Sequence, residues 1–463
     1  MTRLKLLEAS KAMCGEVIGG RDVFIKSITT DSRSASTGSL FFAISGNNFD
    51  GHDYVMDAFE QGAKIAVVHR DLMSAIPAGK SVIKVQDTLT ALQDLAAYHR
   101  KKFKNLKLVG VTGSNGKTTV KEMVALVLGK KFRTLKTEGN LNNHIGTPLT
   151  LLRLNESHEA AVIEMGTNAP GEIKRLANIS LPSIGVITNI AAAHLQGLGS
   201  IASIRKEKGD LLYSLGPRGV EILNIDDENS AELVKKIAGR TVTYGSDSKA
   251  TVQLVDSWPN GFGGRNMVVY HKGHEHEIHQ PLPGYHNVAN AMAATAVGFV
   301  AGVGVDGIRG GLNKIKTSPM RMVISKLANG ATFINDAYNA NTSSVEAALA
   351  TVVELGIRGK FYFAFGGMLE LGNKSEVEHK KVARIAKKYG VTRLFALGKL
   401  SRVTALEAKK INLACDKRGS HFTLAKVIAN NIGPEDTILI KGSRGTKMEL
   451  VEKHLNEMIG GGL

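Results

Sequence analysis

Only two cysteines, Cys14 and Cys415, occur in 463 residues, and they lie far apart. That excludes a disulfide-stapled scaffold and points to free thiols in a reducing cytoplasm. Aromatic residues make up 5% of the chain, and neither zinc-knuckle spacing nor an RNP-like aromatic motif occurs. A protein that stacks on nucleic-acid bases is therefore not expected. No apolar run is long enough to cross a bilayer. The longest, AMAATAVGFVAGVGV (291–305), is short and glycine-interrupted, and reads as a buried helix. An export signal is missing, because LKLLEASKAMCGEVIGG carries charge through its apolar positions. Internal repeats, low-complexity tracts and disordered linkers are absent as well.

What is present is a soluble globular composition, 43% apolar and 22% charged, long enough for two to four domains. Lys and Arg outnumber Asp and Glu, giving +17 and a pI near 9.6. The partners this favours are anionic: nucleotides, nucleotide-sugars, nucleic acid or an anionic membrane face. The fifty glycines hint at many loop–helix turns.

The most informative stretch is LKLVGVTGSNGKTTVKEM (106–123). An apolar strand, Leu106 to Val111, breaks into the turn cluster TGSNG, then Lys117, Thr118 and Thr119 open a helical pattern. This is the layout of a phosphate-binding loop. Glycines let backbone N–H groups approach phosphate oxygens, a lysine reaches the β/γ-phosphates and a hydroxyl ligates Mg²⁺. The strict spacing G-x-x-x-x-G-K-[ST] is not met, since the glycines stand at 110, 113 and 116.

Around it the chain divides into three units. In residues 1–105, strand-like pieces at 39–45, 63–69 and 81–85 precede a helix at 88–103. The turn TTDSR, Thr29 to Arg33, reads locally as an ordinary capped turn. In residues 106–315, AAVIEMGTN (160–168) is a strand ending in Glu164, a position where nucleotide enzymes hold Mg²⁺. IGVITNIAAAHL (184–195) delivers Asn189 and His194 to the same edge. Asn140, Asn142 and Asn143 crowd one loop, and their amides suit a polar substrate. RKEKGDLLYSL (205–215) reads as a helix start whose Lys206 and Lys208 form a solvated face. MVVYHKGHEHEIHQPLPG (267–284) alternates like an exposed hairpin around Lys272-Gly273. A metal site from His274 and His276 lacks a second cluster. An Ala-rich helix follows, with His286, Asn287 and Asn290 in its first turns. In residues 316–463, strands ending in Gly-rich turns alternate with amphipathic helices, an α/β doubly wound pattern. The closing IGGGL (459–463) reads as a frayed tail.

Taken together, TGSNGKTTVKEM, GNLNNHIGTPLTLLRL, VIEMGTNAPGEI, TNIAAAHLQGLGS, LPGYHNVAN, NDAYNANTSS and the late KGSR resemble the Mur ligases, the ATP-dependent amide-forming ligases of bacterial cell-wall synthesis. NLNN-x-IG-x-P and DAYNAN look like the branch that adds D-alanyl-D-alanine. The resemblance implies an α/β, three-domain architecture: an N-terminal UDP-substrate-binding domain (1–105), a central P-loop ATPase (106–315) and a Rossmann-like C-terminal domain (316–463). It implies ATP and Mg²⁺ as cofactors, and UDP-N-acetylmuramoyl-tripeptide and D-alanyl-D-alanine as partners. The product would be the UDP-muramoyl-pentapeptide precursor of peptidoglycan, made in the cytoplasm by a monomer with no nucleic acid and no stable membrane insertion. Alternatives within reach are a sister ligase adding a single amino acid, or a folylpolyglutamate synthase-like ligase.

The implied roles follow the motifs. Gly113, Ser114, Asn115, Gly116, Lys117, Thr118 and Thr119 match the phosphate loop. Thr118 and Glu164 match Mg²⁺ ligands, and His194 a second metal site. Lys208 falls where the family carries a carbamylated lysine, which makes Lys117, His194 and Lys208 the catalytic candidates. Asn287 matches an adenine contact, and Arg321 and Asp336 match C-terminal contacts to phosphate and to ribose or metal. Thr30, Asp31, Ser32 and Arg33 match the uridine-nucleotide site. Asn140, Asn143, Tyr338 and Asn339 complete the substrate contacts. Two positions depart from the pattern. Met320 stands where Pro-Gly-Arg is common, which predicts a loop of different shape. Gly367 stands where an aspartate is common.

Overall fold

The computed structural model describes residues 4–20, 22–46, 49–71, 76–235, 239–261 and 264–460. Among these, the middle of the chain folds into a nine-stranded sheet. Strand Lys107–Thr112 lies third from one edge of it, flanked in parallel by Ala160–Glu164 and Ile184–Ile187. All three are covered on both faces, which is why each is an unbroken apolar run rather than an alternating one. Their register brings Glu164 beside Val111 and Ile187 beside Thr112, so three loops leave the sheet at one carboxyl edge. Helix Lys117–Leu128 buries Val120, Met123, Val124 and Val127 against the Ala-rich helix Tyr285–Ala301. The small side chains permit that approach: a Cβ on Gly298 would already lie 2.9 Å from Val127 Cγ1.

A five-stranded sheet precedes this unit, in the order Glu16–Ile18, Ser81–Lys84, Ile65–Val68, Ser39–Phe42, Ser27–Thr29. Helix Thr88–Lys101 follows, capped by Asp87, whose carboxylate accepts from Thr90 N at 2.6 Å. A six-stranded sheet comes after it, with Val323–Lys326 as its antiparallel edge and Thr332–Asp336, Thr437–Lys441, Phe361–Phe365, Arg393–Leu397 and Ala414–Arg418 in parallel. A two-stranded sheet, Leu4–Lys5 with Phe24–Ile25, accompanies the five-stranded one, so the protein is α/β with a separate main sheet in each of three units.

Some local expectations change. The helix expected to start near 205 begins at Ile201, because Ser200 caps it through Ser203 N at 3.1 Å. Lys206 and Lys208 therefore lie in its interior, and only Lys206 is on a solvated face; Lys208 is 1% exposed. The 291–305 stretch belongs to helix Tyr285–Ala301, and no helix among the described residues is long and apolar enough to cross a membrane. The hairpin forms as Arg265–His271 and His274–Gln280, with both turn residues, Lys272 and Gly273, at positive φ as a two-residue hairpin loop requires. It is not wholly exposed: His271 stacks on Phe299 at 4.3 Å. At the carboxyl end, Ile459 and Gly460 still belong to helix Glu449–Gly460 rather than to a frayed tail, and 461–463 lie outside the described residues.

Candidate active site

The loop Gly113–Thr119 is held by the segment that follows Ile184–Ile187. Ser114 N donates to Asn189 O at 2.9 Å, Asn115 N to Asn189 Oδ1 at 3.0 Å, and Thr188 Oγ1 to Asn115 O at 2.6 Å. Gly116 caps the next helix at φ +79, where a Cβ would fall 2.3 Å from Asn290 Oδ1. Only glycine meets both demands. Helix Lys117–Leu128 then opens with its free N–H groups and positive dipole end toward the loop. An anion cradle forms without the strict glycine spacing. Lys117 folds onto it, donating to Gly113 O (2.7 Å) and Ser114 O (3.3 Å). Burial lowers the Lys117 pKa, Glu164 pulls it back up, and Arg321 lowers it again.

Glu164 closes its strand beside this cradle. Its Oε1 accepts from Thr118 Oγ1 (3.2 Å) and Asn142 Nδ2 (2.8 Å), while its buried Oε2 has no partner. An orphaned carboxylate oxygen in a buried position is costly. Together with the Thr118 hydroxyl it fits a divalent cation, and Mg²⁺ is commonly held by one or two protein oxygens plus phosphates and water. No group of three or more His, Cys, Asp or Glu among the described residues could cage a metal, the histidine hairpin included. Such a cation would be shared with a bound phosphate.

Lys208 is buried next to this region without lining it. Burial, and the charge of Lys117, hold its pKa well below the usual lysine range, against an upward pull from Glu207. Glu207 is itself committed to Gly171 N (2.6 Å), Ile173 N (2.8 Å) and Thr167 Oγ1 (3.2 Å). His194 lies in the left-handed region at φ +55, with Nδ1 2.6 Å from Glu370 Oε2.

The C-terminal unit completes the wall. Arg321 Nη2 donates to Thr118 Oγ1 at 3.1 Å, and its guanidinium lies 4.0 Å over the Tyr338 ring. Met320 adopts φ +58, a conformation glycine takes without strain, and its carbonyl accepts from Tyr338 N at 3.1 Å. Met320 thus sits in a tight turn that carries backbone strain. Asp336 pairs with the buried Lys441, whose Nζ also donates to Asn339 O at 3.0 Å. Asn341 Nδ2 reaches Asn115 Oδ1 at 2.7 Å. Gly367 sits at φ +98, its carbonyl accepting from Ser443 N at 3.0 Å, and a Cβ there would be 2.7 Å from Leu400 Cβ.

One cavity of about 830 Å³ gathers most of these groups. The loop from Ser114 to Thr119, Glu164, His194 and Asn287 face it from the middle unit; Arg321, Asp336, Tyr338 and Asn339 face it from the C-terminal one. Asn143 lines it, whereas Asn140 does not. Thr30 to Arg33 stand apart in the N-terminal unit, where Asp31 caps the turn and holds the exposed Arg33 through Nε (2.9 Å) and Nη2 (2.7 Å). The only N-terminal residue on the cavity wall, among those described, is Leu89. Asn142, which the sequence reading grouped with Asn140 and Asn143 as a substrate amide, instead binds Glu164, while Asn341, Glu370 and Lys441 are functional candidates that the sequence reading did not single out. Each stands inside a motif it did quote, or beside one, but its partner is supplied by a distant segment.

Comparison with known proteins agrees across the whole chain. The family model for the Mur ligase catalytic domain matches residues 24–100, that for the middle domain 111–298, and that for the glutamate ligase domain 320–444. The chain is 39% identical to the UDP-N-acetylmuramoyl-tripeptide–D-alanyl-D-alanine ligase of Bacillus subtilis, over 94% of this chain and 93% of the relative. It is 36% identical to the Escherichia coli enzyme of the same name, over 99% of each. A crystal structure of MurF from Acinetobacter baumannii superposes with a TM-score of 0.90 at 31% identity, covering 99% of both chains.

Proposed function

Because this chain belongs to the Mur ligase family, we propose that it joins D-alanyl-D-alanine to UDP-N-acetylmuramoyl-tripeptide at the expense of ATP. Ligases with that printed activity are similar over nearly its full length, which disfavours a single-amino-acid ligase or a folylpolyglutamate synthase-like one. The observation that carries the reading is the single cavity in which a phosphate cradle, an acid with one free oxygen and cations from two units meet.

A carboxylate is a poor acyl donor, so the terminal carboxylate of the tripeptide first attacks the γ-phosphorus of ATP and releases ADP. The amine of D-alanyl-D-alanine then adds to the acyl phosphate. A tetrahedral intermediate forms, and it collapses with loss of inorganic phosphate. Two anions must meet in the first step. Lys117 and Arg321 offset that repulsion in a site partly closed to water. Thr118 and Glu164 would hold Mg²⁺, which supplies further neutralisation of the phosphates. Asn287 is assigned to the adenine, and Asp336 to the ribose or metal. Asn140, Asn143, Tyr338 and Asn339 are assigned to the peptide or dipeptide. Thr30, Asp31, Ser32 and Arg33 are assigned to the uridine nucleotide, anchoring one end of a long substrate outside the cavity.

Lys208 is proposed to act as its carbamate. A neutral amine is the form that adds CO₂, and the depressed pKa favours that form. The resulting anion would face Lys117 favourably and, with His194, would hold a second cation. The protein is proposed to work as a monomer in the cytoplasm, with its three units corresponding to domains 1–105, 106–315 and 316–463.

The test is phosphate release from ATP by the purified protein with Mg²⁺ and UDP-muramoyl-tripeptide. D-alanyl-D-alanine is the acceptor in one tube and lysine or diaminopimelate in others. Release with the dipeptide alone is expected. Release with a single amino acid, or none with any acceptor, would remove the substrate assignment.

A further inference from the structure

His194 and Glu370 belong to different units and are 176 residues apart, yet they meet at 2.6 Å. We propose that Glu370 is a positioning residue: it fixes His194 through Nδ1, and so makes the orientation of that imidazole depend on contact between the C-terminal and middle units. This rests on the ligase reading above only for the step that His194 serves.

A carboxylate only accepts hydrogen bonds, so Nδ1 must carry the hydrogen. In the neutral imidazole that leaves Nε2 as a lone-pair donor, the atom suited to meet a cation among the phosphates. The pairing is reinforced by the backbone, because Gln196 N donates to Glu370 O at 2.9 Å. Both partners adopt left-handed conformations, φ +55 at His194 and φ +63 at Glu370. Neither residue type enters that region without cost, and such strain persists only where the surroundings enforce it. Between them Leu195 packs against the apolar core of the C-terminal unit. When the units separate, His194 loses the acceptor that orients it. Phosphoryl transfer would then be confined to the closed arrangement, which prevents idle hydrolysis of ATP in the open one.

The experiment compares Glu370→Ala and Glu370→Gln with the parent protein. Glutamine keeps an acceptor oxygen, so it tests orientation apart from charge. Glu370→Ala is expected to lower kcat about tenfold or more, with KM for ATP within about twofold, while Glu370→Gln recovers most of the loss. A second readout needs no turnover. Nitrogen-15 NMR of histidine-labelled protein should show an Nδ1–H signal that Glu370→Ala removes and Glu370→Gln retains, with melting temperature unchanged. An unchanged kcat and His194 signal in Glu370→Ala would overturn the proposal. So would a parallel fall in melting temperature and kcat that glutamine does not rescue, which is the mark of a merely structural contact. Failure of the parent protein to turn over any acceptor would sink the ligase reading instead, and the NMR readout would still decide the role of Glu370.

Discussion

The N-terminal and C-terminal units both rest on the middle one, but through different chemistry. On the N-terminal side a single apolar cluster runs from Leu40, Leu92 and Leu95 into Leu151, Ile173 and Leu176 without a break. Helix Thr88–Lys101 adds buried donors across the seam. Gln93 reaches His144 O, His99 reaches Leu154 O, and Arg100 reaches the carbonyls of Ser180 and Leu181. On the C-terminal side the apolar clusters are that unit's own, and Leu195 is the residue of the middle unit packed against them. The seam is polar: Asn341 and Ser343 on Asn115, Arg321 on Thr118, Glu370 on His194, Glu354 on Arg265. Apolar burial is lost whenever a seam opens. Polar contacts trade with water at a small net difference. The first seam is therefore the costlier of the two to open, and the second the cheaper.

The largest test attacks the first seam. Arg100→Ala strands the buried carbonyl of Ser180 and removes the donor from the partly buried carbonyls of Leu181 and Phe103. It should cost about 3 kcal/mol or more, read as a lower midpoint in urea unfolding that affects the N-terminal and middle units together. A mild effect would mean the two seams are alike.

Next comes the middle unit itself. In bicarbonate-free buffer Lys208 is a buried amine whose pKa is depressed in the folded state, so the unfolded chain binds more protons between that value and 10.5. Stability contributed at this position accordingly rises with pH through that window and is lost as pH falls. Lys208→Met should abolish phosphate release yet melt about 2–4 °C higher at neutral pH. The difference should shrink toward alkaline pH, as calorimetry across pH would show. Full activity of that variant would remove the carbamate.

The polar seam should respond in the opposite way. Asn341→Ala also removes the cap of helix Thr342–Glu354, so it is expected to cost about 1–2 kcal/mol, to lower kcat about tenfold and to enlarge the protein in solution scattering with nucleotide bound. The smallest effect concerns strain. Met320→Gly relieves a left-handed methionine and should stabilise the C-terminal unit by about 0.5–1 kcal/mol, seen in its unfolding midpoint, while leaving the first seam untouched.

Much of this was legible in order along the chain. The phosphate loop announces itself because strand, glycines, lysine and helix are contiguous, and Glu164 because it ends an apolar run. The helical register of Lys208 was legible in principle. Ile204, Lys208 and Leu211 share one buried face, but the charge of lysine argues for solvent and hides the pattern. Asn142, Lys441 and Glu370 were not legible as partners. Their roles come from pairings with Glu164, Asp336 and His194 that only the folded sheets bring about. The N-terminal turn was legible as a capped turn, and its distance from the cavity was not, since no local pattern encodes how far apart two units end up.

Gly367 carries a consequence of another kind. Its backbone angle and the nearness of Leu400 leave no room for the aspartate that the family pattern leads one to expect there. A Gly367→Asp substitution would have to rotate the chain and displace Leu400 at once, so one change of side chain here demands a second change in its neighbour. Leu400 and Ser443 pack and hydrogen-bond to the backbone at this position and so constrain what can stand there.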